Sequence, residues 1–308
     1  MTIKAALREA VRPTTFIESE ALSKLLKAKI VIASETFQHT GSFKFRGAYN
    51  VALNVPNEMI ITASSGNFGQ ALAKACQLLG KRCTVVMPEN SAAVKIEGVR
   101  SYGATIDLID TQKVGRKERV LQIAQSFPDA YLASPYDDPL VIEGNSTLGL
   151  EIANYREAFD ACLAPIGGGG LISGVIKGLC DKGNSAQVFG AEPLLGNDAA
   201  QSLKAGKIVS NKHEPQTIAD GARTVSLGEH NWKIIEKGVR GIIEVSEEKI
   251  VQAVRVLFSC ANLKVEPTGA LTTGAILQQP KEFVDKSICL VASGGNVDAK
   301  VYQQILYS

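Results

Sequence analysis

We predict an α/β fold in which helices cover parallel β-sheets. Short apolar runs with the composition of β-strands alternate with helical patterns along most of the 308-residue chain, and this alternation is typical of parallel sheets. The alternation is most regular between residues 59 and 133, and it resumes at residue 162. A chain of this length is long enough for two domains, or for one large α/β unit with ample core.

The first series of patterns predicts a compact unit of four strands with helices between them. Each strand is a short apolar run, and the first helix follows Ser65, a residue type that is favoured at helix N-caps. The predicted strands cover residues 59–63, 83–87, 105–109 and 130–133, and the predicted helices cover residues 67–79, 93–102 and 117–125.

The second series predicts a larger unit around the first one. Its predicted strands cover residues 162–166, 188–191 and 288–292, and its predicted helices cover residues 171–180, 247–261 and 268–278. We expect a small domain at residues 51–138, inserted into a large domain made of residues 1–50 and 139–308. The cleft between the two domains is then the preferred place for a small-molecule site.

Composition excludes several classes of function. Charged residues make up 21% of the chain, the net charge is +2, and acidic and basic residues are mixed, so we predict no nucleic-acid partner and no membrane partner. No window supplies the roughly 20 apolar residues of a membrane span, and the N-terminus does not have the pattern of a signal peptide. The six cysteines are scattered without Cys-x-x-Cys pairs. We therefore expect a cytoplasmic protein with free thiols.

Four consecutive glycines, Gly167, Gly168, Gly169 and Gly170, lie between a predicted strand and a predicted helix. Glycines at this position let main-chain N–H groups approach a phosphate, and the helix N-terminus adds a favourable dipole. The same region partly matches a dinucleotide fingerprint, with Glu192 at the spacing of a ribose contact. The loop alone predicts only a phosphate site.

Lys44 lies between Phe43 and Phe45. A lysine held among apolar groups loses its proton more easily than a lysine in water, because desolvation disfavours the charged form. An uncharged amine is what Schiff-base chemistry requires of its nucleophile.

Two further loops follow predicted strands. The segment Ser64, Ser65, Gly66, Asn67 ends in a helix start, which suits either a simple cap or an anion such as a carboxylate. The segment that begins at Ser293 ends an apolar strand, and the carboxyl ends of strands are where open α/β sheets bind ligands. A plain turn explains the second segment equally well.

Glu192 and Asp198 place two carboxylates six residues apart in a loop. With main-chain carbonyls and water they suffice for a hard divalent cation, although two acidic residues at the surface explain the pattern without a metal.

Eight segments are together similar to the serine racemase and threonine/serine dehydratase group of fold-type II pyridoxal phosphate enzymes. The resemblance runs in order from about Arg12 to Asp298. The segments are residues 41–48 (GSFKFRGA), 62–67 (TASSGN), 87–89 (MPE), 141–144 (VIEG), 167–170 (GGGG), 218–221 (IADG), 266–268 (EPT) and 293–298 (SGGNVD).

This resemblance implies a tryptophan synthase β-like fold of two parallel-sheet domains, with pyridoxal 5'-phosphate in the cleft. It further implies that Lys44 forms the imine with the cofactor and moves the substrate α-proton. The other implied cofactor contacts are Phe43 and Gly221 on the two faces of the ring, Asn67 at the phenolic oxygen, Gly167 to Gly170 and Leu171 at the phosphate, and Ser293 at the pyridine nitrogen.

The resemblance also implies a substrate site, a metal site and a partner. Ser64, Ser65, Gly66, Asn67 and Phe68 match the substrate loop, and Ser65 matches a second base that faces Lys44 across the α-carbon in racemases of the group. Phe68 replaces the histidine of many relatives. Glu192, Gly196 and Asp198 match a site for Mg²⁺, Mn²⁺ or Ca²⁺, and the protein is expected to be a homodimer.

Three functions are compatible with these residues. The first is a dehydratase (ammonia-lyase) that converts a β-hydroxy amino acid such as L-threonine or L-serine to a 2-oxo acid and ammonia. The second is an amino-acid racemase, such as a serine racemase, with side elimination. The third is a non-catalytic ligand-binding protein, which would be colourless and indifferent to the loss of Lys44.

Overall fold

The computed structural model describes residues 3–64, 66–91 and 93–307. Ten strands in this part of the chain form two sheets. In chain order the strands are β1 (Thr15–Glu18), β2 (Lys29–Ser34), β3 (Met59–Ala63), β4 (Arg82–Pro88), β5 (Thr105–Ile109), β6 (Tyr131–Ala133), β7 (Ala161–Pro165), β8 (Gln187–Pro193), β9 (Val239–Val245) and β10 (Ser287–Ala292).

The larger sheet has six strands in the order β1-β2-β10-β7-β8-β9. Strand β1 is antiparallel to β2, and the other neighbours are parallel. The central strands β7 and β10 are apolar along most of their length, because helices cover both faces of a parallel sheet. Cys289 pairs in register with Cys162 at the centre of this sheet.

The smaller sheet has four parallel strands in the order β5-β4-β3-β6. These four strands are consecutive in the chain, between β2 and β7 of the larger sheet. A small parallel-sheet unit is therefore inserted into a larger one, as predicted.

The helices pack on both sheets. They are α1 (Ile3–Ala10), α2 (Glu20–Leu26), α3 (Lys44–Asn54), α4 (Asn67–Leu79), α5 (Ala93–Arg100), α6 (Arg116–Ser126), α7 (Pro139–Ala153), α8 (Gly170–Cys180), α9 (Asp198–Ala205), α10 (Glu229–Gly238), α11 (Glu247–Ala261), α12 (Pro267–Gln278) and α13 (Ala299–Tyr307). Among the described residues, none of these helices has the length and apolar character needed to cross a bilayer.

The fold class is confirmed, with small differences at the ends of elements. The helix predicted at 93–102 ends at Arg100, and the chain then turns through Gly103, whose φ of 77° favours glycine. The sequence patterns did not predict strands β1, β2 and β9. The predicted domain boundary after residue 50 falls inside α3, whereas the one after residue 138 coincides with the start of α7. The domain boundaries stay a prediction.

A buried arginine anchors the first turn of α3. The Arg46 guanidinium donates to both carboxylate oxygens of Glu35, at 2.7 and 2.9 Å, and to the Glu151 carboxylate at 2.7 Å. It also donates to the hydroxyls of Thr14 and Thr147, at 2.8 and 2.9 Å. The side chains of Arg46 and Glu35 are fully buried. This network fixes α3, and hence Lys44 at its start, against β2 and α7.

Candidate active site

Several of the predicted site residues follow the carboxyl ends of parallel strands, whereas Lys44 lies at the start of α3 and Glu192 within β8. Strand β3 leads to residue 64, β6 leads to Pro135, β7 leads to the glycine run and β10 leads to Ser293. Because the carboxyl ends of parallel strands share one edge of a sheet, these loops gather on the cleft side of the two sheets.

The Lys44 amine lies beside two aromatic rings and has one hydrogen-bond partner among the described residues. Its Nζ donates to the Pro135 carbonyl oxygen at 2.7 Å, and it lies 5.1 Å from the centre of the Phe43 ring and 5.7 Å from that of Phe68. Burial lowers the pKa of Lys44 from 10.5 to about 8, because desolvation disfavours the ammonium. The side chain can therefore act as an uncharged nucleophile near neutral pH.

The glycine run forms the turn between β7 and α8. Gly169 has a φ of 95°, a conformation that side chains rarely adopt, and Gly170 begins the helix. A Cβ atom on Gly168 would overlap the ring of Tyr136. The Asn231 Nδ2 donates to the carbonyl oxygens of Gly168, at 2.8 Å, and Tyr136, at 3.1 Å. The hydrogen bonds from Asn231 therefore fix the main chain of the glycine loop beside Tyr136.

Gly221 and Leu171 adjoin this loop. A Cβ atom on Gly167 would lie 3.1 Å from the Gly221 carbonyl oxygen, so the two predicted segments are in contact. The Gly221 N–H donates to the Thr268 hydroxyl at 2.9 Å. The Leu171 side chain is buried in the core with Val175, so only its main chain is available to a ligand.

Asn67, at the start of α4, is held by two side chains. Its Nδ2 donates to the two carboxylate oxygens of Glu266 at 2.8 and 3.1 Å, and its Oδ1 accepts from the Asn296 Nδ2 at 2.8 Å. Burial, followed by the nearby charge of Asp220, raises the pKa of Glu266 to about 7.

Ser293 lies directly beside the start of α3. Its carbonyl oxygen accepts the Phe43 N–H at 3.0 Å, and Gly294 forms an isolated bridge with Ser42. The end of β10 and the start of α3 are thus joined by main-chain contacts, which brings Ser293, Phe43 and Lys44 to one place.

The substrate loop is described in part. Ser65 lies outside the described residues. Ser64 and Gly66 are partly buried, and the Lys95 Nζ lies 3.8 Å from the position that a Cβ atom on Gly66 would take. Lys95 also forms an ion pair with Asp220. A cation therefore lies directly over the predicted anion site.

Phe68 has 1% of its surface exposed and packs in the core of the small unit with Phe45 and Leu72. Its ring forms a wall of the slot that holds Lys44. The predicted contact between Phe68 and the substrate stays a prediction, since the ring is covered in this structure.

The predicted metal residues are close together but form a small donor set. The Glu192 carboxylate accepts the N–H groups of Ala199 and Ala200, at 3.1 and 2.6 Å, and so caps α9. Asp198 Oδ1 accepts from the Asn211 Nδ2 at 2.9 Å, whereas its Oδ2 is buried and has no hydrogen-bond partner in the part of the chain that the structure describes. Within the described ranges, no group of three or more His, Cys, Asp or Glu side chains could hold a metal ion.

Burial raises the pKa of Glu192 to about 8 and that of Asp198 to about 7. Desolvation is the larger cause in both cases, and the charge of Asp198 adds to the effect on Glu192.

Four residues of the site were not identified from the sequence. Tyr136 and Asn231 frame the glycine loop, and Lys95 and Glu266 supply charge. Glu266 could have been identified because it lies in a segment that resembles the family. Tyr136 could have been identified because it follows the end of a strand. Nothing in the local sequence of Lys95 distinguishes it from a surface lysine.

Comparisons with known proteins agree with this geometry. A family model described as pyridoxal-phosphate dependent enzyme matches residues 7–294. The L-threo-3-hydroxyaspartate ammonia-lyase of Saccharomyces cerevisiae is 37% identical over 304 residues, which cover 97% of this chain and 93% of the yeast protein. The serine racemase of Mus musculus is 34% identical over 302 residues, which cover 95% of this chain and 88% of the mouse protein.

A solved structure shows the same architecture. The threonine deaminase of T.th. superposes with a TM-score of 0.90 at 38% identity, covering 96% of this chain and 97% of the deaminase. The match of the family model extends over nearly the whole chain, and relatives of this similarity span nearly their whole length. The chain therefore belongs to the fold-type II family of pyridoxal-phosphate dependent enzymes.

Proposed function

We propose that this protein is an ammonia-lyase that converts a β-hydroxy amino acid, such as L-threonine or L-serine, to a 2-oxo acid and ammonia. The observation that carries the proposal is the Lys44 amine, which is desolvated between two aromatic rings and lies among the loops that follow β3, β6 and β10. Elimination needs one base at the substrate α-carbon, and Lys44 has the chemistry of that base.

The residues present fit pyridoxal phosphate. Gly167 to Gly170 offer main-chain N–H groups at a helix start for its phosphate, and Asn67 offers an amide N–H for its phenolic oxygen. We assign Phe43 and Gly221 to the two faces of its ring and Ser293 to its pyridine nitrogen, as the family resemblance implies. The main-chain contact between Phe43 and Ser293 supports placing these two residues at one ligand. When bound, the cofactor supplies the electron sink for the bond that breaks at the α-carbon.

In the proposed reaction each residue has a defined task. Lys44 would hold the cofactor through its Nζ and, once the substrate has freed that amine, would carry the proton that leaves the substrate α-carbon. The α-proton and the β-hydroxyl together leave as water, and a second water replaces the nitrogen, which leaves as ammonia. The N–H groups around Ser64, Gly66 and Asn67, with Ser65, bind the substrate carboxylate and orient the α-proton towards Lys44.

Racemisation is the second candidate, and the identity to the mouse serine racemase favours it. It needs a second base on the opposite face of the α-carbon, and Ser65 is the residue expected there. L-threo-3-hydroxyaspartate joins the substrates to be tested, because the yeast relative is named for it.

The test follows two products in one reaction. The purified holoenzyme is incubated with L-threonine, L-serine, D-serine and L-threo-3-hydroxyaspartate, and 2-oxo acid release is measured together with the enantiomer of the residual amino acid by chiral chromatography. We expect 2-oxo acid without exchange of enantiomers. Enantiomer appearing faster than 2-oxo acid would replace the lyase by a racemase, with Ser65 as its second base.

Replacing Gly168 with alanine should weaken binding of pyridoxal phosphate by about tenfold or more. The added Cβ atom meets the Tyr136 ring, and overpacking of this kind costs about 1–3 kcal/mol. The cofactor's dissociation constant is measured by titrating the apoprotein. Gly115→Ala is the control, since a Cβ atom there has its nearest neighbour at 4.0 Å. Equal dissociation constants in the two variants would refute the assignment of the loop.

Replacing Lys95 with methionine should raise the KM of the preferred amino acid about tenfold, with a smaller change in kcat. The substrate carboxylate shares Lys95 with Asp220, and a hydrogen bond to a charged group contributes about 1.5–3 kcal/mol. Lys74→Met is the control, because Lys74 lies on α4 and its Nζ donates to Gln77. An unchanged KM in the Lys95 variant would exclude this contact.

We also propose a homodimer as the assembly.

We further propose a divalent cation (Mg²⁺, Mn²⁺ or Ca²⁺) at Glu192, Gly196 and Asp198. The unpartnered Asp198 Oδ2 supports the cation site. A saturating cation should raise the Tm of the wild type by several degrees, because it binds the folded chain. Asp198→Asn keeps the acceptor for Asn211 and should abolish the rise, whereas the control Asp129→Asn should retain it. A rise in both variants would place the cation elsewhere.

A further inference from the structure

Glu266 is a buried carboxylate for which the proposed reaction has no use. It precedes α12 at the N-cap position, yet its side chain makes no cap hydrogen bond to the helix. Its 3% exposure leaves it no solvent to interact with. Both carboxylate oxygens instead face the Asn67 amide, at 2.8 and 3.1 Å. A carboxylate is costly to bury, so its position at Asn67 calls for a reason other than capping.

The hydrogen bonds around Asn67 admit one orientation of its amide. The Asn296 Nδ2 donates to the Thr40 carbonyl oxygen at 2.7 Å, so Asn296 presents its NH₂ group on that side. The same nitrogen donates to Asn67 Oδ1, which leaves the Asn67 NH₂ group to face Glu266. An amide nitrogen carries two hydrogens. The two oxygens of one carboxylate lie too close together for both hydrogens to point at them, so Glu266 shares a single hydrogen between its oxygens. The other hydrogen has no partner among the described residues.

The fit of the carboxylate against its surroundings is close. A Cβ atom on Gly294 would lie 2.7 Å from Glu266 Oε1, so the glycine after Ser293 makes room for it. The Glu266 N–H donates to the Gly294 carbonyl oxygen at 3.1 Å. The position of Glu266 is therefore set by the same strand end that carries Ser293.

Charged groups reach Glu266 from three other elements. Burial is the largest cause that raises the pKa of Glu266 to about 7, and Asp220, in the turn that includes Gly221, adds to it. The hydrogen bond from Asn67 and the charges of Lys95 on α5 and Lys44 on α3 act in the opposite direction. The carboxyl is consequently placed where its charge changes near neutral pH.

We propose that Glu266 is a positioning residue that acts through Asn67, holding the free N–H of the Asn67 amide towards the cofactor's phenolic oxygen. This inference rests on the cofactor assignment of the proposed function. The hydrogen bond from Asn67 stabilises negative charge on the phenolic oxygen, and that charge determines where the proton of the neighbouring imine lies. Glu266 thereby influences the absorption spectrum of the bound cofactor and its dependence on pH.

The experiment measures the absorption spectrum of the resting holoenzyme between pH 5 and 10, without substrate. In Glu266→Ala we expect the pH of the spectral transition to move by about half a unit or more, and the affinity for pyridoxal phosphate to fall about tenfold. Glu266→Gln retains an acceptor oxygen for Asn67, so it should restore the affinity while the transition stays displaced. Thr272→Val, a change at another buried polar residue of α12, should reproduce the wild-type transition.

A double-mutant cycle tests whether Glu266 acts through Asn67. In an Asn67→Ala background, Glu266→Ala should add little to the displacement of the spectral transition. A full additional displacement, or a transition in Glu266→Ala equal to that of the wild type, would overturn the inference. The readout needs no turnover. A holoenzyme with these spectral effects but no 2-oxo acid release would contradict the proposed reaction and leave the role of Glu266 intact.

Discussion

Replacing Lys44 with alanine should yield a colourless protein whose kcat/KM is at least about 10³-fold lower than that of the wild type. The replacement removes both the amine that binds the cofactor covalently and the base that takes the α-proton, and a general base alone contributes about 10²–10⁴-fold. The Phe43 and Phe68 rings, which lie 5.1 and 5.7 Å from the Lys44 amine in the wild type, would then have no amine beside them.

The measurement combines the visible spectrum of the purified variant with 2-oxo acid release from the preferred substrate. The matched control is Lys281→Ala, which removes an exposed lysine from the short turn after α12 and should keep both colour and activity. A Lys44→Ala protein that is yellow after dialysis, and that loses this colour on reduction with borohydride while keeping the cofactor covalently attached, would show that another amine holds the cofactor. Unchanged ligand binding with no activity in either protein would instead favour a non-catalytic binding protein.

Replacing Arg46 with methionine should reduce the free energy of unfolding by about 3–5 kcal/mol, which is the usual cost of removing one partner from a buried ion pair. The change leaves the carboxylates of Glu35 and Glu151 without the guanidinium that they share. Such a loss is a large part of the stability of a typical domain, so we also expect lower yield of the variant.

Denaturant unfolding followed by circular dichroism measures this loss. Arg119→Met is the matched control, because the ion pair of Arg119 with Asp107 is partly exposed to solvent and should contribute less than the fully buried pair. Arg46→Lys keeps the charge without the forked geometry, and we expect an intermediate loss of stability. Similar unfolding midpoints for Arg46→Met and Arg119→Met would show that the buried network does not stabilise α3.

The local patterns of the chain were sufficient for much of this fold. The strands at Met59–Ala63 and Thr105–Ile109 and the helix at Asn67–Leu79 lie where the apolar runs and helical patterns predicted them. Strand β9 was missed because Arg240 and Gly241 interrupt its apolar run. Strand β9 lies at the edge of the sheet, and pairing with its neighbour β8 decides its structure. A short window of sequence does not show such long-range pairing.

The residues of the candidate site also fall into two groups, namely those that the local sequence indicates and those that depend on distant partners. Lys44 and the glycine run carry their chemistry in their immediate neighbours, so they were identified from the sequence. Glu266 and Lys95 gain their importance from partners 199 and 125 residues away, Asn67 and Asp220. Only the meeting of separate strand ends creates these contacts. For Phe68 the sequence predicts a position in the substrate loop, but it does not indicate that the ring is buried.

The ion pair of Lys95 with Asp220 joins a helix of the four-stranded unit to a turn of the six-stranded unit. Its side chains are 19% and 36% exposed, so dissolved ions screen the attraction. The electrostatic attraction that this pair contributes between the two units therefore weakens as ionic strength rises, and it is largest in dilute buffer.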